Sequence, residues 1–377
     1  MASKKSSSSK NKKVNKKVNN KVNKKVSRKT QKLKRPKPKG QFRKVTKKQT
    51  RKNSKVRKMK KVTKPNKSCP MINKCAPHIR EEYKENGKCP NTCFDREALL
   101  KITKAWNREN PQNPIKIYKT ISNTTMKNNI DTKLRDKCKD EWCWIQQEFI
   151  KRLRDDEILR DTFIPTMPNK WYQHKTEWLN TLDIDSVLSQ YEIKHPDFIF
   201  IGPVPIDFDE KNNFGSCVAD ELCKINLKEL SDDDIRKIGV VFNLDTHDKP
   251  GSHWVAMFCD MDQKGIYYWD SYGYKAPRQV KKLMKRLKNQ GKDLKIDFKI
   301  KENDIRHQYK NSECGVYCIN FIVNLLEGKS FEQYIKRRIP DNTMNNMRKK
   351  YFIKDPVKNK LLGGKQKSKN KQKINKK

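Results

Sequence analysis

The residues best suited to chemistry are a histidine, an aspartate, a glutamine and a cysteine in the second half of the chain. They are His253, Asp270, Gln308 and Cys314. A cysteine nucleophile reacts as its thiolate, so it needs a histidine to accept its proton and a third group to orient that histidine. It also needs hydrogen-bond donors where negative charge develops on the substrate oxygen. The four residues offer a candidate for each part and predict thiol-dependent acyl transfer.

Cys314 stands at the predicted start of an apolar helix that runs to Leu326 and is stopped by Gly328. The positive end of the helix dipole favours a thiolate at this position. Gly315 follows directly, and its missing Cβ leaves room for a substrate backbone to approach. We therefore predict that Cys314 is the nucleophile.

The histidine and the aspartate are predicted to meet across a hairpin. His253 begins a predicted strand that ends at Phe258, and Asp270 ends the next strand, with a turn at 260–264 between them. A hairpin places the start of one strand beside the end of the other. Gln308 lies in the loop before Cys314, and its side-chain NH2 is expected to join the Cys314 N–H as an oxyanion donor.

Other histidines and cysteines compete for these roles. His247, in an Asp-rich loop, and His307, beside Gln308, are alternative bases. Cys314 itself could be a small buried residue at a helix start, as free cysteines often are. The remaining cysteines of this half are predicted core residues: Cys217, Cys223, Cys259 and Cys318.

The predicted strands and helices around these residues indicate an α+β domain over residues 166–353. An α-helical section over 68–165 is predicted to precede it. Predicted strands are Phe198–Ile201, stopped by Gly202-Pro203, Ile238–Leu244, Gly265–Asp270 and Lys295–Ile300. Predicted helices are Phe94–Ile102, Trp142–Leu153, Trp178–Tyr191, Arg278–Asn289 and Cys314–Leu326.

Both ends of the chain are strongly basic. Residues 1–67 contain 30 Lys or Arg and no Asp or Glu, and residues 354–377 contain 10 Lys and one Asp. Such segments bury too little apolar surface to offset their ordering entropy, so 1–67 and 354–377 are predicted to be disordered. A cationic tail attracts polyanions without reading sequence, which favours nucleic-acid binding. The alternative is a solvated tail that carries a nuclear or nucleolar address.

Cysteine usage and the absence of targeting signals indicate the kind of compartment in which the protein works. The start of the chain has no apolar signal-peptide region, and no stretch is apolar and long enough to span a membrane, so a protein that is neither secreted nor membrane-bound is expected. Eleven cysteines then suggest a reducing compartment and mostly free thiols. Structural zinc is the alternative for six cysteines of irregular spacing. These are Cys69, Cys75, Cys89, Cys93, Cys138 and Cys143.

The order and spacing of the motifs resemble the ubiquitin-like-protease superfamily, which includes the SUMO-processing proteases and the adenovirus proteinase. The resemblance covers about 170–340 and includes Glu313, where the SUMO branch usually has Asp. An earlier Trp178-Leu179-Asn180 is similar to the family's entry to its catalytic core. The motifs are His253-Trp254, Tyr267-Tyr268-Trp269-Asp270-Ser271, and Gln308-Tyr309-Lys310-Asn311-Ser312-Glu313-Cys314-Gly315.

This resemblance implies a papain-like cysteine protease core with a central, mostly antiparallel sheet flanked by helices. It implies that Cys314 attacks the carbonyl, that His253 acts as base and then acid, and that Asp270 orients it. Gln308 would help to bind the oxyanion. Trp254 would cover an extended Gly-Gly of the substrate, with Trp178 as a second wall. No cofactor and no metal are expected.

The basic tail, the helical section and the Lys/Asn/Ile-rich composition resemble the virion-maturation proteases of large DNA viruses. The expected function is cleavage of viral structural precursors after Gly-Gly, in the virion, or otherwise in the host cytoplasm or nucleus. One alternative is removal of SUMO or ubiquitin-like modifiers. Another is a basic nucleic-acid-associated protein with an inactive protease-like core. The stretch Leu361–Lys365 suggests self-processing after Gly364, or else a linker.

Overall fold

The computed structural model describes residues 72–86, 91–154, 158, 161–211 and 214–355. The predictions for the basic N-terminal tail, for nearly all of the C-terminal tail and for the Gly-Gly at 363–364 lie outside these residues. The strands are β1 Phe198–Pro205, β2 Lys237–Asn243, β3 Trp254–Asp260, β4 Gly265–Trp269 and β5 Lys299–Glu302. The helices before β1 are α1 Pro77–Asn86, α2 Arg96–Glu109, α3 Asn123–Leu134, α4 Glu141–Trp144, α5 Glu148–Lys151 and α6 Thr181–Lys194. Those after it are α7 Asp220–Cys223, α8 Leu227–Asp232, α9 Arg278–Asp293, α10 Cys314–Leu326, α11 Phe331–Ile335 and α12 Asp341–Tyr351.

The five strands form one sheet in the order β1-β2-β3-β4-β5. The pairs β2–β3 and β3–β4 are antiparallel, whereas β1–β2 and β4–β5 are parallel. The α+β class and the helices flanking a central sheet are confirmed. The sheet is mixed rather than mostly antiparallel, because the connections β1–β2 and β4–β5 are crossovers that contain helices, so the paired strands run in the same direction.

Strand β3 lies at the centre of the sheet and is buried along its whole length. Its side chains alternate between two apolar clusters, as the period of two in a strand requires. Trp254, Ala256 and Phe258 pack on the side of α10, while Val255 and Met257 pack with the apolar side of α9. The sheet is therefore covered on both faces, and α10 is held against its middle.

The helical section before the sheet has an apolar cluster of its own, drawn from residues of 75–164 together with Ile353. Six cysteines that were predicted to be mostly free are instead paired as Cys75–Cys93, Cys138–Cys143 and Cys217–Cys223. Cys217 and Cys223 are therefore disulfide-bonded rather than simple core thiols. None of the helices in the described ranges has the length and apolar character needed to cross a bilayer.

Several predicted boundaries differ from the structure. Strand β1 continues past Gly202-Pro203 to Pro205 through an irregularity in its pairing with β2. The single helix predicted at 142–153 is divided into α4 and α5 by a turn at 145–147. Helix α6 begins at Thr181 because Asn180 and Asp183 form a reciprocal capping box. Strand β5 forms four residues later than predicted, at 299–302.

Candidate active site

The hairpin of β3 and β4 brings His253 and Asp270 together. In the register of this hairpin, Ala256 pairs with Trp269. The residue before β3 and the residue after β4 therefore lie at the same end of the two strands. The Nε2 atom of His253 lies 2.8 Å from Oδ1 of Asp270. Both side chains are nearly buried, which strengthens the interaction by lowering the local dielectric. The predicted contact across the hairpin is present.

Asp270 is fixed by its neighbours as well as by the histidine. Its Oδ1 atom also accepts a hydrogen bond of 2.8 Å from the Tyr272 backbone N–H. Asn303 donates from its side chain to the Asp270 carbonyl at 2.8 Å. The Tyr272 ring packs against the His253 ring with centroids 4.8 Å apart. The carboxylate is thus held in one orientation toward the imidazole.

Cys314 is the first residue of α10 and is only 1% exposed. Its thiol lies within interaction range of the His253 ring, whose other partner is the Asp270 carboxylate. Because Nε2 faces Asp270, Nδ1 is the ring nitrogen left for the sulfur. Burial by itself lowers the pKa of His253, but its hydrogen bonds with Asp270 and Cys314 outweigh burial and raise that pKa to about 9. The raised pKa keeps His253 protonated at neutral pH, so an imidazolium stands beside the nucleophile.

The raised pKa of His253 predicts the alkaline limit of activity. The imidazolium that protonates the leaving amine persists until the pH rises through about 9, so kcat/KM should fall above that value. Asp270→Asn removes the carboxylate that favours the charged ring and should move this limb to lower pH. Profiles of kcat/KM for both proteins test this. An alkaline limb that does not move in the variant would show that Asp270 does not set the charge state of His253.

Gln308 is held by two hydrogen bonds that fix the orientation of its amide. The Ser271 hydroxyl donates to Oε1 at 2.6 Å, and Nε2 donates to the Lys310 carbonyl at 2.7 Å. Since an amide nitrogen carries two hydrogens, one N–H remains for another acceptor. The backbone N–H of Cys314, at the first position of α10, has no partner within the helix. These two groups are the predicted oxyanion donors, and the hydrogen bond from Ser271 ties Gln308 to the residue directly after Asp270.

The predicted tryptophan walls lie near the nucleophile. The Trp254 indole N–H donates to the Leu179 carbonyl at 2.9 Å, so it ties β3 to the segment that contains Trp178. A Cβ added to Gly315 would lie 2.9 Å from the Leu179 Cβ, which shows how closely this segment approaches the start of α10. Trp254 is 5% exposed and Trp178 is 38% exposed. Both stay predictions as substrate-binding residues.

Helix α12 supplies supporting residues that sequence analysis did not identify. Asp341, Asn345 and Arg348 share one face at helical spacing, and each contacts the loop before Cys314. The Asp341 carboxylate accepts from the Tyr309 N–H at 3.1 Å. Arg348 donates to the Ser312 carbonyl at 2.9 Å and to Asn345 at 3.0 Å. The only signal in the sequence is the spacing, within a segment that reads as basic and polar.

The same face of α12 compensates a buried charge. Glu313, the residue before the nucleophile, is fully buried and accepts from the Asn345 side chain at 2.6 Å. Burial lowers the pKa of Arg348 to about 10, while the negative charges of Glu313 and Cys314 act in the opposite direction. Arg348 therefore remains a cation at neutral pH and interacts electrostatically with both groups.

The competing residues occupy other environments. His307 is fully buried and accepts from the Ile339 N–H, and burial followed by nearby Arg338 lowers its pKa to about 4. His247 is half exposed and lies 2.6 Å from the Asp207 carboxylate. Cys318 is buried in the core, and burial raises its thiol pKa well above the usual value. Across the described ranges, no group of three or more His, Cys, Asp or Glu could hold a metal ion.

Comparison with known proteins identifies the family of this chain. The model of the Ulp1 protease family, C-terminal catalytic domain, matches residues 225–361. A putative thiol protease of Acanthamoeba polyphaga mimivirus is 33% identical over 308 residues, which cover 76% of this chain and 95% of that protein. A cysteine protease of African swine fever virus is 31% identical over 193 residues, or 48% of this chain and 69% of that one. The chain belongs to the Ulp1 protease family and is a cysteine protease.

The fold agrees with the same family. The crystal structure of the African swine fever virus protease superposes with a TM-score of 0.51 and 22% identity. The match covers 75% of this chain and 97% of that chain. The predicted α+β fold is thereby confirmed, and the family membership confirms the resemblance noted from the motifs.

Proposed function

We propose that this cysteine protease cleaves after Gly-Gly in viral structural precursors during virion maturation. The observation that carries the proposal is the His253 imidazole, which hydrogen-bonds with Asp270 at 2.8 Å and interacts with Cys314 at the start of α10. The Cys314 thiolate attacks the carbonyl, and Gln308 and the Cys314 N–H stabilise the oxyanion. His253 protonates the leaving amine as the thioester forms, then takes a proton from the water that hydrolyses it.

Glycine specificity is proposed from the two tryptophans near the nucleophile. Leu179, a core residue, fills the space over Gly315 that was expected to admit a substrate backbone, so Gly315 instead allows the segment that contains Trp178 to pack against the start of α10. We assign Trp254 and Trp178 as walls for the acyl side of the substrate. Between two indole rings an extended Gly-Gly fits, whereas any side chain would require the rings to separate.

The viral setting is supported by the relatives. The mimivirus protein matches along 95% of its own length and 76% of this chain. Substrates in the virion are therefore our first assignment. The basic tails, which lie outside the described residues, would attract the packaged genome by charge alone.

Modifier removal is the second candidate function. A relative from another isolate of African swine fever virus, 32% identical over 192 residues, is called a SUMO-1 cysteine protease. Such a modifier would place its C-terminal Gly-Gly in the same channel. The two functions share chemistry and differ in what surrounds the Gly-Gly.

One experiment separates the two candidates. Purified full-length protein is incubated with viral precursor segments that contain Gly-Gly and, in parallel, with SUMO-linked and ubiquitin-linked fluorogenic probes. We expect kcat/KM to be at least about 10²-fold higher for a precursor, and a Gly→Ala change at either glycine to lower it by a similar factor. Faster turnover of a SUMO probe would overturn the maturation proposal, and cleavage that ignores the glycines would overturn both.

A further inference from the structure

A row of stacked arginine and tyrosine side chains begins at the catalytic histidine. We call it the arginine–tyrosine ladder: Tyr272, Arg306, Tyr309 and Arg338. The Arg306 guanidinium lies 5.4 Å from the centre of the Tyr272 ring and 4.6 Å from that of Tyr309. The Arg338 guanidinium also contacts the Tyr309 ring and lies 4.3 Å from its centre. The row therefore runs from the site across the surface.

The ladder is open to solvent. Tyr309 is 59% exposed, and both arginines are exposed as well. The Arg338 guanidinium is 3.7 Å from the buried Asp341 carboxylate. Within the described ranges, Arg306 makes no ion pair with a carboxylate, and the exposed Asp304 nearby is paired at 3.9 Å with Lys275. The surface next to the catalytic histidine is thus positively charged without local compensation at Arg306.

Both guanidinium groups are already held in place. Arg306 donates from Nε to the Gln308 carbonyl at 3.0 Å, and Arg338 donates from Nε to the His307 carbonyl at 3.1 Å. A guanidinium has five N–H donors, so each side chain keeps donors for a ligand after this bond. Because the stacked rings and these bonds restrict the side chains, little entropy is lost when they bind a carboxylate.

The distances place the ladder within reach of a bound substrate. The Tyr272 ring is 4.8 Å from the His253 ring and 5.4 Å from the Arg306 guanidinium, so Arg306 lies at most about 10 Å from the catalytic histidine. An extended peptide advances about 3.3 Å per residue, so Arg306 is within about three residues of the scissile bond. Arg338, which shares the Tyr309 ring with Arg306, is at most a few residues farther away.

We propose that the arginine–tyrosine ladder is a specificity surface for acidic side chains that lie within about six residues of the scissile bond. The inference rests on the proposed function only for the position of the cleaved bond. Carboxylates suit it because paired guanidinium groups bind them with charge-assisted hydrogen bonds. The substrate class is then a Gly-Gly site flanked by Asp or Glu.

The test is cleavage of a randomised peptide library, read by mass spectrometry, with the full-length protein and with an Arg306→Gln/Arg338→Gln double variant. The wild-type products should be enriched about fivefold in Asp and Glu over Asn and Gln at one or two neighbouring positions. The double variant should lose this enrichment. An Arg306→Glu variant should favour Lys there instead. An exposed-charge control at the far end of α9, Lys292→Gln, should keep the wild-type pattern.

The ratios are compared within each enzyme, so a general loss of activity through the Arg306–Gln308 hydrogen bond does not affect them. High salt should reduce the acidic enrichment, because exposed charges are screened. A wild-type library without acidic enrichment, or an enrichment unchanged in the double variant, would overturn the inference. The same data report on Gly-Gly separately: products without Gly-Gly before the cut overturn the proposed function and leave the charge preference to be judged independently.

Discussion

Replacement of Cys314 by alanine should lower kcat/KM for peptide cleavage by about 10⁴-fold or more. The change removes the sulfur that hydrogen-bonds with His253, and no hydroxyl or thiol takes its place. The residue is only 1% exposed, so a small void remains, and the free energy of unfolding should fall by about 1 kcal/mol. Steady-state kinetics and a denaturant titration on the same protein separate the two effects.

Cys318 provides a matched control one turn later in the same helix. It is equally buried, and burial raises the pKa of its thiol, so it is not a ready nucleophile. Cys318→Ala should lose a similar amount of stability but keep most of the activity. Iodoacetamide should modify Cys314 first in the wild-type protein near neutral pH. Retained cleavage by Cys314→Ala would remove this cysteine from the mechanism.

The site could be predicted from sequence because its parts lie at the ends of elements with strong local patterns. Strands β3 and β4 are apolar runs joined by a short turn, so a hairpin follows from local information. That hairpin alone places His253 beside Asp270. The start of α10 was equally clear, since a continuous apolar run begins at Cys314. The long-range step from His253 to Cys314 depended on the family's motif order.

Other features depend on contacts that no local pattern reveals. Whether β1 and β5 run parallel or antiparallel to their neighbours depends on long-range strand pairing. The residue pattern of an outer strand is the same in both cases, so it does not predict the orientation. The disulfide Cys75–Cys93 joins residues 18 positions apart. The lack of a signal peptide favoured free thiols, and spacing alone does not determine connectivity.

The role of α12 was missed for a similar reason. Its sequence is rich in Asn, Arg and Lys, which is typical of a solvated helix. The polar residues at positions 341, 345 and 348 instead face the loop before Cys314 and are hydrogen-bonded there. A polar stripe can be buried when its partners are themselves polar and fully bonded. The partners here belong to a loop about 30 residues earlier, which no periodicity reports.

Arg348→Met is expected to lower kcat by about 10²-fold, because it removes the cation beside Cys314 and the hydrogen bond that holds Ser312. Methionine keeps much of the apolar stem that packs near the Trp171 ring. The variant should also lose about 3 kcal/mol of stability, since Glu313 is left buried without its compensating cation. Lys349→Met, an exposed change on the same helix, is the control and should alter neither quantity appreciably.

The rate of Cys314 alkylation as a function of pH distinguishes an electrostatic role of Arg348 from a purely structural one. Loss of a neighbouring cation disfavours the thiolate, so the alkylation profile of Arg348→Met should move to higher pH. Arg348→Lys keeps the positive charge but lacks the planar guanidinium group. It should therefore restore the pH dependence of alkylation more fully than the free energy of unfolding. Adding Glu313→Gln to Arg348→Met removes the uncompensated charge and should recover stability while leaving the profile shifted. If alkylation keeps its wild-type pH dependence in Arg348→Met, the guanidinium only supports the loop and does not act on the nucleophile.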